Sequence, residues 1–259
     1  MRNWRKGTTK MRKVELKENE RIDDLDCANL QIIQNKNFFC FGIDSVLLAN
    51  FAKDIRHHSI VMDLGTGNGI LPILLSAKTK AKHIIGVEVQ EELVELANRN
   101  ILLNELENTI QIMHSNVKNV DNIIEKNSID VIITNPPYKP LHTGLQNENK
   151  QKLIARHEIE ANLEDFIYTS YKMLKDKGTL YMVHRIERLP DILVALRKYK
   201  IEPKEMQFVQ NTKKEPPKLV LIKAVKNAHA FLKVKPILYI REENGQESYQ
   251  IQEIRRGGE

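Results

Sequence analysis

Apolar residues recur along this chain at two alternating periods. From residue 58 onward, short apolar runs alternate with stretches whose apolar positions return every three or four residues. HSIVMDLG (58–65) predicts a buried strand, and GILPILLSAKTK (69–80) a helix. HIIGVEV (83–89) predicts the next strand, followed by QEELVELANRNILLNE (90–105), whose Leu93, Leu96, Ala97 and Ile101 fall on one helical face. TIQIMHS (109–115), SIDVIITNPPY (128–138) and GTLYMVHR (178–185) complete a set of five strands. Strands that alternate with helices form right-handed βαβ units, so the expected fold is α/β, with a mostly parallel sheet and helices on both faces.

The flanks read differently. Ile43, Val46, Leu47 and Phe51 have helical spacing, with Asp44 placed as a possible N-cap. EMQFVQ (205–210) and KLVLIKAV (218–225) predict an antiparallel pair closing the sheet edge, and PILYIREENGQESYQ, with Asn244-Gly245 inside it, predicts a small hairpin. Residues 15–26 are acidic and polar and predict no element. The expected organisation is a basic then acidic extension over 1–29, one domain over 30–240, and a hairpin and tail over 241–259.

Composition narrows the class. With 259 residues, 41% hydrophobic and 29% charged, the chain can bury a core. No apolar run approaches the roughly 18 residues of a membrane span, and Cys27 and Cys40 form no metal or disulfide pattern. A cytoplasmic protein with neither metal nor membrane partner is expected. Lys and Arg number 40 against 34 acids. The excess lies in Arg2, Arg5, Lys6, Lys10, Arg12 and Lys13, and a second basic stretch over 197–226 includes Lys213 and Lys214. Local positive charge of this kind suits a phosphate backbone.

Asp63-Leu64-Gly65-Thr66-Gly67-Asn68-Gly69 closes a strand and opens a helix. Three glycines let the backbone turn sharply against a ligand. The spacing is GxGxG, without the GK[ST] of a nucleotide-phosphate loop, so the ligand needs close approach but brings no pyrophosphate. Glu88, ending the next strand, is placed to take two ribose hydroxyls with its carboxylate.

Asn135-Pro136-Pro137-Tyr138 stands at the carboxyl end of IDVIIT, where open α/β sheets carry their chemistry. An exocyclic amine on a base is a poor nucleophile because its lone pair is delocalised into the ring. The Asn135 side-chain oxygen and the Pro136 carbonyl can accept the two amine hydrogens and return density to nitrogen. The prolines stiffen the loop, and Tyr138 offers a ring on which a base can stack. Preorganised acceptors aimed at developing positive charge lower the barrier with neither metal nor covalent intermediate.

DLGTGNG, GVEVQ and NPPY together resemble the class I S-adenosylmethionine-dependent amino-methyltransferases, which have a Rossmann-like fold. The resemblance implies S-adenosylmethionine as cofactor. It puts Asp63, Gly65, Thr66, Gly67 and Gly69 under the amino-acid part and Glu88 with Val89 at the ribose. Asn116 with Val117 then lies near the adenine, and Asn135 borders both cofactor and base. Asn116 stands where such enzymes often carry Asp.

Further blocks, FFCFGIDSVLLANFA, IARHE (154–158), LKDKGTLYMVHRIERLPDIL and KLVLIKAVK, resemble the bacterial tRNA1(Val) adenine-37 N6-methyltransferase family. This implies a tRNA partner, with Phe39, Asp44 and Ser45 bordering cofactor and base, and a lid over 139–160. Arg156 and His157 would meet RNA phosphate or the target nucleotide, with Pro137 and Tyr138 at the base and Lys213 and Lys214 on the rest of the tRNA. The alternatives are a protein glutamine N5 methyltransferase, an rRNA methyltransferase acting on adenine N6 or guanine N2, and an inactive RNA-binding adapter.

Overall fold

The structure, a computed structural model, describes residues 14–38, 42–138 and 161–256. It opens with a two-stranded antiparallel hairpin, β1 (Glu20–Asp24) and β2 (Gln31–Asn35). Helix α1 (Ile43–Phe51) follows, then β3 (Ile60–Leu64), α2 (Ile70–Lys78), β4 (His83–Glu88), α3 (Glu91–Leu103), β5 (Ile110–His114) and β6 (Ile129–Thr134). The second half comprises α4 (Leu163–Met173), β7 (Leu174–Arg185), α5 (Leu189–Lys198), β8 (Ile201–Gln210), β9 (Leu219–Lys226), the short β10 (Lys233–Val234) and β11 (Leu238–Tyr239), and α6 (Tyr249–Arg256).

The main sheet has the order β5-β4-β3-β6-β7-β9-β8, with β10 and β11 both pairing along the outer side of β8. β3 to β7 run parallel; β9 inserts antiparallel between β7 and β8. The expected antiparallel pair is therefore present, and two further short strands continue beyond it. One core lies beneath α1 and α2, with Leu47, Leu48, Ile73 and Leu74 at 1% exposure or less; the other lies beneath α4 and α5, around Ile167, Met173, Ile192 and Leu196. Among the described residues no helix is long and apolar enough to cross a membrane.

Three local features differ from expectation. Residues 20–24 form β1 because β2 supplies the partner, and Ile33 packs with Leu93, Leu96 and Leu103 of α3. Helix α1 follows Gly42 with no side-chain cap, so Asp44 occupies its first turn instead of the cap. The C-terminal hairpin reduces to one antiparallel bridge, Arg241 to Glu247; Ile251 and Ile254 then bury one side of α6 in the core that α1 shares.

Asn100, fully buried on α3, ties these parts together. Its Oδ1 accepts from Ile33 N at 2.6 Å, while Nδ2 donates to Ile33 O at 3.2 Å and to Asn68 O at 2.9 Å. One turn on, Asn104 repeats the pattern with Gln31, at 2.8 and 2.7 Å. Two carboxamides thus replace a neighbouring strand along β2.

Candidate active site

The carboxyl ends of β3, β4 and β6 lie level, since Leu64 pairs with both Val87 and Thr134. The glycine turn, Glu88 and Asn135 consequently leave the sheet side by side. Gly65 N and Thr66 N both donate to Val87 O at 2.9 Å, folding the turn back over β4. Gly65 adopts φ +76°, and a Cβ there would meet the Phe166 ring at 3.3 Å. Gly86, opposite Asp63, has no room for a side chain, because a Cβ would come within 2.8 Å of both Thr66 Oγ1 and Ile112 Cδ1.

Glu88 is buried and its carboxylate is held by backbone. Oε2 accepts from Gly67 N at 2.9 Å, and Oε1 accepts from Val89 N and Gln90 N at 3.0 Å. Two carboxylate oxygens offer about four lone pairs, so capacity for a hydroxyl donor remains. Its first role here is to fix the shape of the turn.

Asp63 is the opposite case. It is fully buried, and among the described residues neither its Oδ1 and Oδ2 nor the adjacent buried Thr66 Oγ1 makes a hydrogen bond of good geometry. Burial pushes the Asp63 carboxyl up to about 7, and the nearby Glu88 charge adds to the rise. Orphaned buried acceptors are costly, and a bound group rich in N–H donors relieves them. The ammonium of S-adenosylmethionine has that character, so the donor set fits this cofactor.

A cleft beside the turn is lined by Gly65, Val87, Glu88, Val89, Asn116, Val117, Ala161 and Phe166. It gathers five of the cofactor candidates read from the sequence. Asn116 Oδ1 accepts from Lys118 N at 2.9 Å and caps the 3-10 turn Val117–Asn122, so part of its carboxamide serves the fold. Ala161 and Phe166 were not anticipated. Phe166 sits at an apolar position of an amphipathic helix like any other, and nothing in the sequence separates it from core.

At the end of β6, Thr134 is buried, Asn135 half-buried, Pro136 buried, and Pro137 and Tyr138 half-buried. The Tyr138 hydroxyl is buried beside the Asp44 carboxylate and makes no hydrogen bond of good geometry among the described residues. Burial and the adjacent Asp44 carboxylate push this phenol well above its ordinary value. Asp44 is itself raised by burial, with Tyr138 and the Arg185 charge acting against the rise. His184 stands edge-on to the Tyr138 ring at 5.0 Å, and the Arg185 guanidinium lies 5.5 Å from the ring centroid. Burial pushes His184 down to about 4, and its Nδ1 accepts from Arg185 N at 2.8 Å, which leaves a neutral ring protonated at Nε2. Tyr138 is thus an anchored ring with its hydroxyl turned inward, where the sequence reading had only an available face. His184 and Arg185 end the strand GTLYMVHR, yet period-two alternation carries no signal of their contact with Tyr138.

Ser45 is buried in the first turn of α1. Phe39, Arg156, His157 and the lid over 139–160 lie outside the described residues. Lys213 and Lys214 are exposed on the β8–β9 connection, Lys213 being 5.9 Å from the Tyr239 ring centroid and Lys214 paired with Glu243 at 3.5 Å. Leu219 pairs with Arg185, so this connection lies at the same end of the sheet as Asn135. The basic stretch is not one patch, however. Lys226 pairs in register with Ile201 at the far end and is buried, donating at 2.7 Å to Asn127 Oδ1, Tyr171 O and Leu174 O.

A family profile described as methyltransferase small domain matches residues 29–208. Two curated proteins named tRNA1(Val) (adenine(37)-N6)-methyltransferase are similar over most of their length. That of Porphyromonas gingivalis is 25% identical over 185 residues, covering 70% of this chain and 72% of its own. That of Dyadobacter fermentans is 27% identical over 205 residues, covering 78% and 82%. Among solved structures, a predicted O-methyltransferase from Agrobacterium tumefaciens superposes with a TM-score of 0.68 at 21% identity, over 83% of this chain and 96% of that one. TYW2 of M. jannaschii in complex with AdoMet gives 0.54 at 17% identity, over 82% and 88%. These two likenesses establish the Rossmann-like fold.

Proposed function

Because this chain belongs to the methyltransferase small domain family, we propose that it methylates the exocyclic N6 amine of an adenine in the anticodon loop of a tRNA, with S-adenosylmethionine as donor. The observation that carries the reading is the pairing of Leu64 with Thr134, which sets a donor-hungry cofactor turn beside Asn135-Pro136-Pro137-Tyr138. The names of the curated relatives favour adenine in tRNA over protein glutamine or rRNA. A tRNA substrate also puts the protein in the cytoplasm.

S-adenosylmethionine, when bound, supplies an electrophilic sulfonium methyl. Asp63 and Thr66 would hold its ammonium, Glu88 would accept from its ribose, and Val89, Asn116 and Val117 would border its adenine. On the other side, the Asn135 carboxamide oxygen and the Pro136 carbonyl accept the two hydrogens of the target amine, drawing its lone pair out of conjugation. The two acceptors would hold the amine through methylation while its surplus proton passes to solvent. Pro136 and Pro137 keep these acceptors from reorganising, and Tyr138, braced by His184 and Arg185, borders the base. The target adenine lies unpaired in a loop or is flipped from its stack to reach this depth.

The test is methyl transfer from labelled cofactor to tRNA, rRNA and protein in parallel, read by nucleoside mass spectrometry, with Asn135→Ala as control. N6-methyladenosine in tRNA, falling about 10²- to 10³-fold in the variant, is the expected result. Label on protein glutamine or in rRNA overturns it.

A further inference from the structure

Residues 229–234 are exposed without interruption along the rim of the sheet, with Phe231 at 76%, Val234 at 53% and Leu232 at 40%. β10 pairs in parallel with β8 through Lys233 to Glu205 and Val234 to Met206, and forms the outermost strand there. Lys204 reaches across from β8. Its ammonium donates to the His229 carbonyl at 3.0 Å and stands 5.8 Å from the centroid of the Phe231 ring.

Charge on this rim is unbalanced. Glu205 is already bonded by Lys223 at 2.9 Å and Lys235 at 3.0 Å, and Glu202 by Arg197 at 2.9 Å. Lys204 and Lys233 make no ion pair among the described residues. An apolar rim of this kind invites a protein partner, but a two-residue edge strand carrying a lysine is a poor template for strand addition, and a second copy would set Lys233 near its own image. An exposed ring with cations around it suits a polyanion with flat faces: unpaired bases stack on aromatics while lysines meet phosphates.

We propose that Phe231, Lys204 and Lys233 form a second RNA contact, remote from the chemistry, which holds the body of the substrate while its loop enters the site. This rests on the tRNA reading above. From β6 to β10 is four strand spacings of about 4.8 Å, roughly 20 Å. That is about six base steps at 3.4 Å each, so the contact lies beyond the target nucleotide and its neighbours.

The experiment compares whole tRNA with an RNA hairpin containing only the anticodon arm, as ligands and as substrates, for the wild-type protein and the variant Lys204→Ala/Phe231→Ala/Lys233→Ala. Phe231 and Lys233 are exposed and Lys204 is half-buried, and equal melting temperatures establish that the variant is folded. The expected result is a tenfold or greater loss of affinity for whole tRNA, with a log–log salt slope shallower by roughly 1.5, and a parallel loss for the hairpin, whose loop and stem span the roughly six base steps to the contact. Unchanged affinity for whole tRNA overturns the proposal. So does a wild-type dimer that becomes monomeric in the variant with tRNA binding intact, which makes the rim a contact between copies. A wild-type protein that methylates no tRNA overturns the functional reading itself, a result the binding isotherms do not mimic.

Discussion

The Thr134 hydroxyl donates to the Leu64 carbonyl at 2.8 Å, joining the last residue before the glycine turn to the last residue before Asn135. Both are fully buried. Thr134→Val keeps the shape of the side chain and removes the bond. It is expected to cost about 1 to 2 kcal/mol in chemical denaturation. If the bond also holds the two halves of the site in register, the methyl-transfer rate falls more than cofactor affinity does; equal losses would show that it serves stability alone.

Asp63 binds its proton more tightly folded than unfolded, since its carboxyl rises from 3.8 to about 7. The stability this group contributes is therefore complete below about pH 4 and is lost as pH climbs through 7, at most about 4 kcal/mol at 1.36 kcal/mol per unit. Asp63→Asn is expected to stabilise the cofactor-free protein at pH 8, with a smaller gain at pH 5, while abolishing cofactor binding. Urea titrations at the two pH values and calorimetric titration of cofactor check this. Wild-type cofactor affinity is expected to fall as pH drops below 7, because the ammonium then meets a neutral acid.

Tyr138 separates ring from hydroxyl. Among the described residues its hydroxyl makes no hydrogen bond of good geometry and only neighbours the Asp44 carboxylate, so Tyr138→Phe is expected to change stability by no more than about 1 kcal/mol in either direction, with methyl transfer within a few-fold of wild type. Tyr138→Ala removes the ring that Arg185 and His184 brace. Loss of about 1 to 3 kcal/mol of base stacking would raise KM for RNA by roughly 5- to 150-fold. Steady-state kinetics on both variants decide between the two parts.

Within the basic stretch, two kinds of lysine should behave oppositely. Lys226→Met strands three acceptors and is expected to cost about 2 to 4 kcal/mol without altering the salt dependence of RNA binding. Lys213→Ala/Lys214→Ala is expected to leave the melting temperature unchanged and flatten the salt slope by roughly 1.5. A slope that does not move removes these two lysines from the RNA surface.

The parallel part of the fold was legible because its strands are largely buried on both faces and so read as short, mostly apolar runs; IVMDL and IDVIIT, each interrupted by one aspartate, are examples. The glycine turn and NPPY were legible because backbone conformation constrains residue type locally. β1 was missed since ERIDD carries charges on both faces, leaves its one apolar residue, Ile22, exposed, and owes its pairing to β2. Asn-Gly in 244–245 marked a turn correctly, but the sequence does not disclose that the following Ile251 and Ile254 find a core to bury against. The bracing of Tyr138 by Arg185, and the place of Phe166 in the cleft, arise from contacts between distant segments. No local pattern encodes them. The charge count over 197–226 misled for the same reason: sequence proximity does not say which end of a strand a lysine occupies, or whether carbonyls surround it.

Asn100 holds Ile33 with one side of its carboxamide plane and Asn68 with the same amide group. The cofactor turn and the N-terminal hairpin therefore share a single buried fastening, and neither can open without stripping hydrogen bonds from the other. They form one cooperative unit of local unfolding, in which ligand binding at the glycines is felt as slowed amide exchange in β2, and fraying of β2 is felt as weakened binding at the glycines.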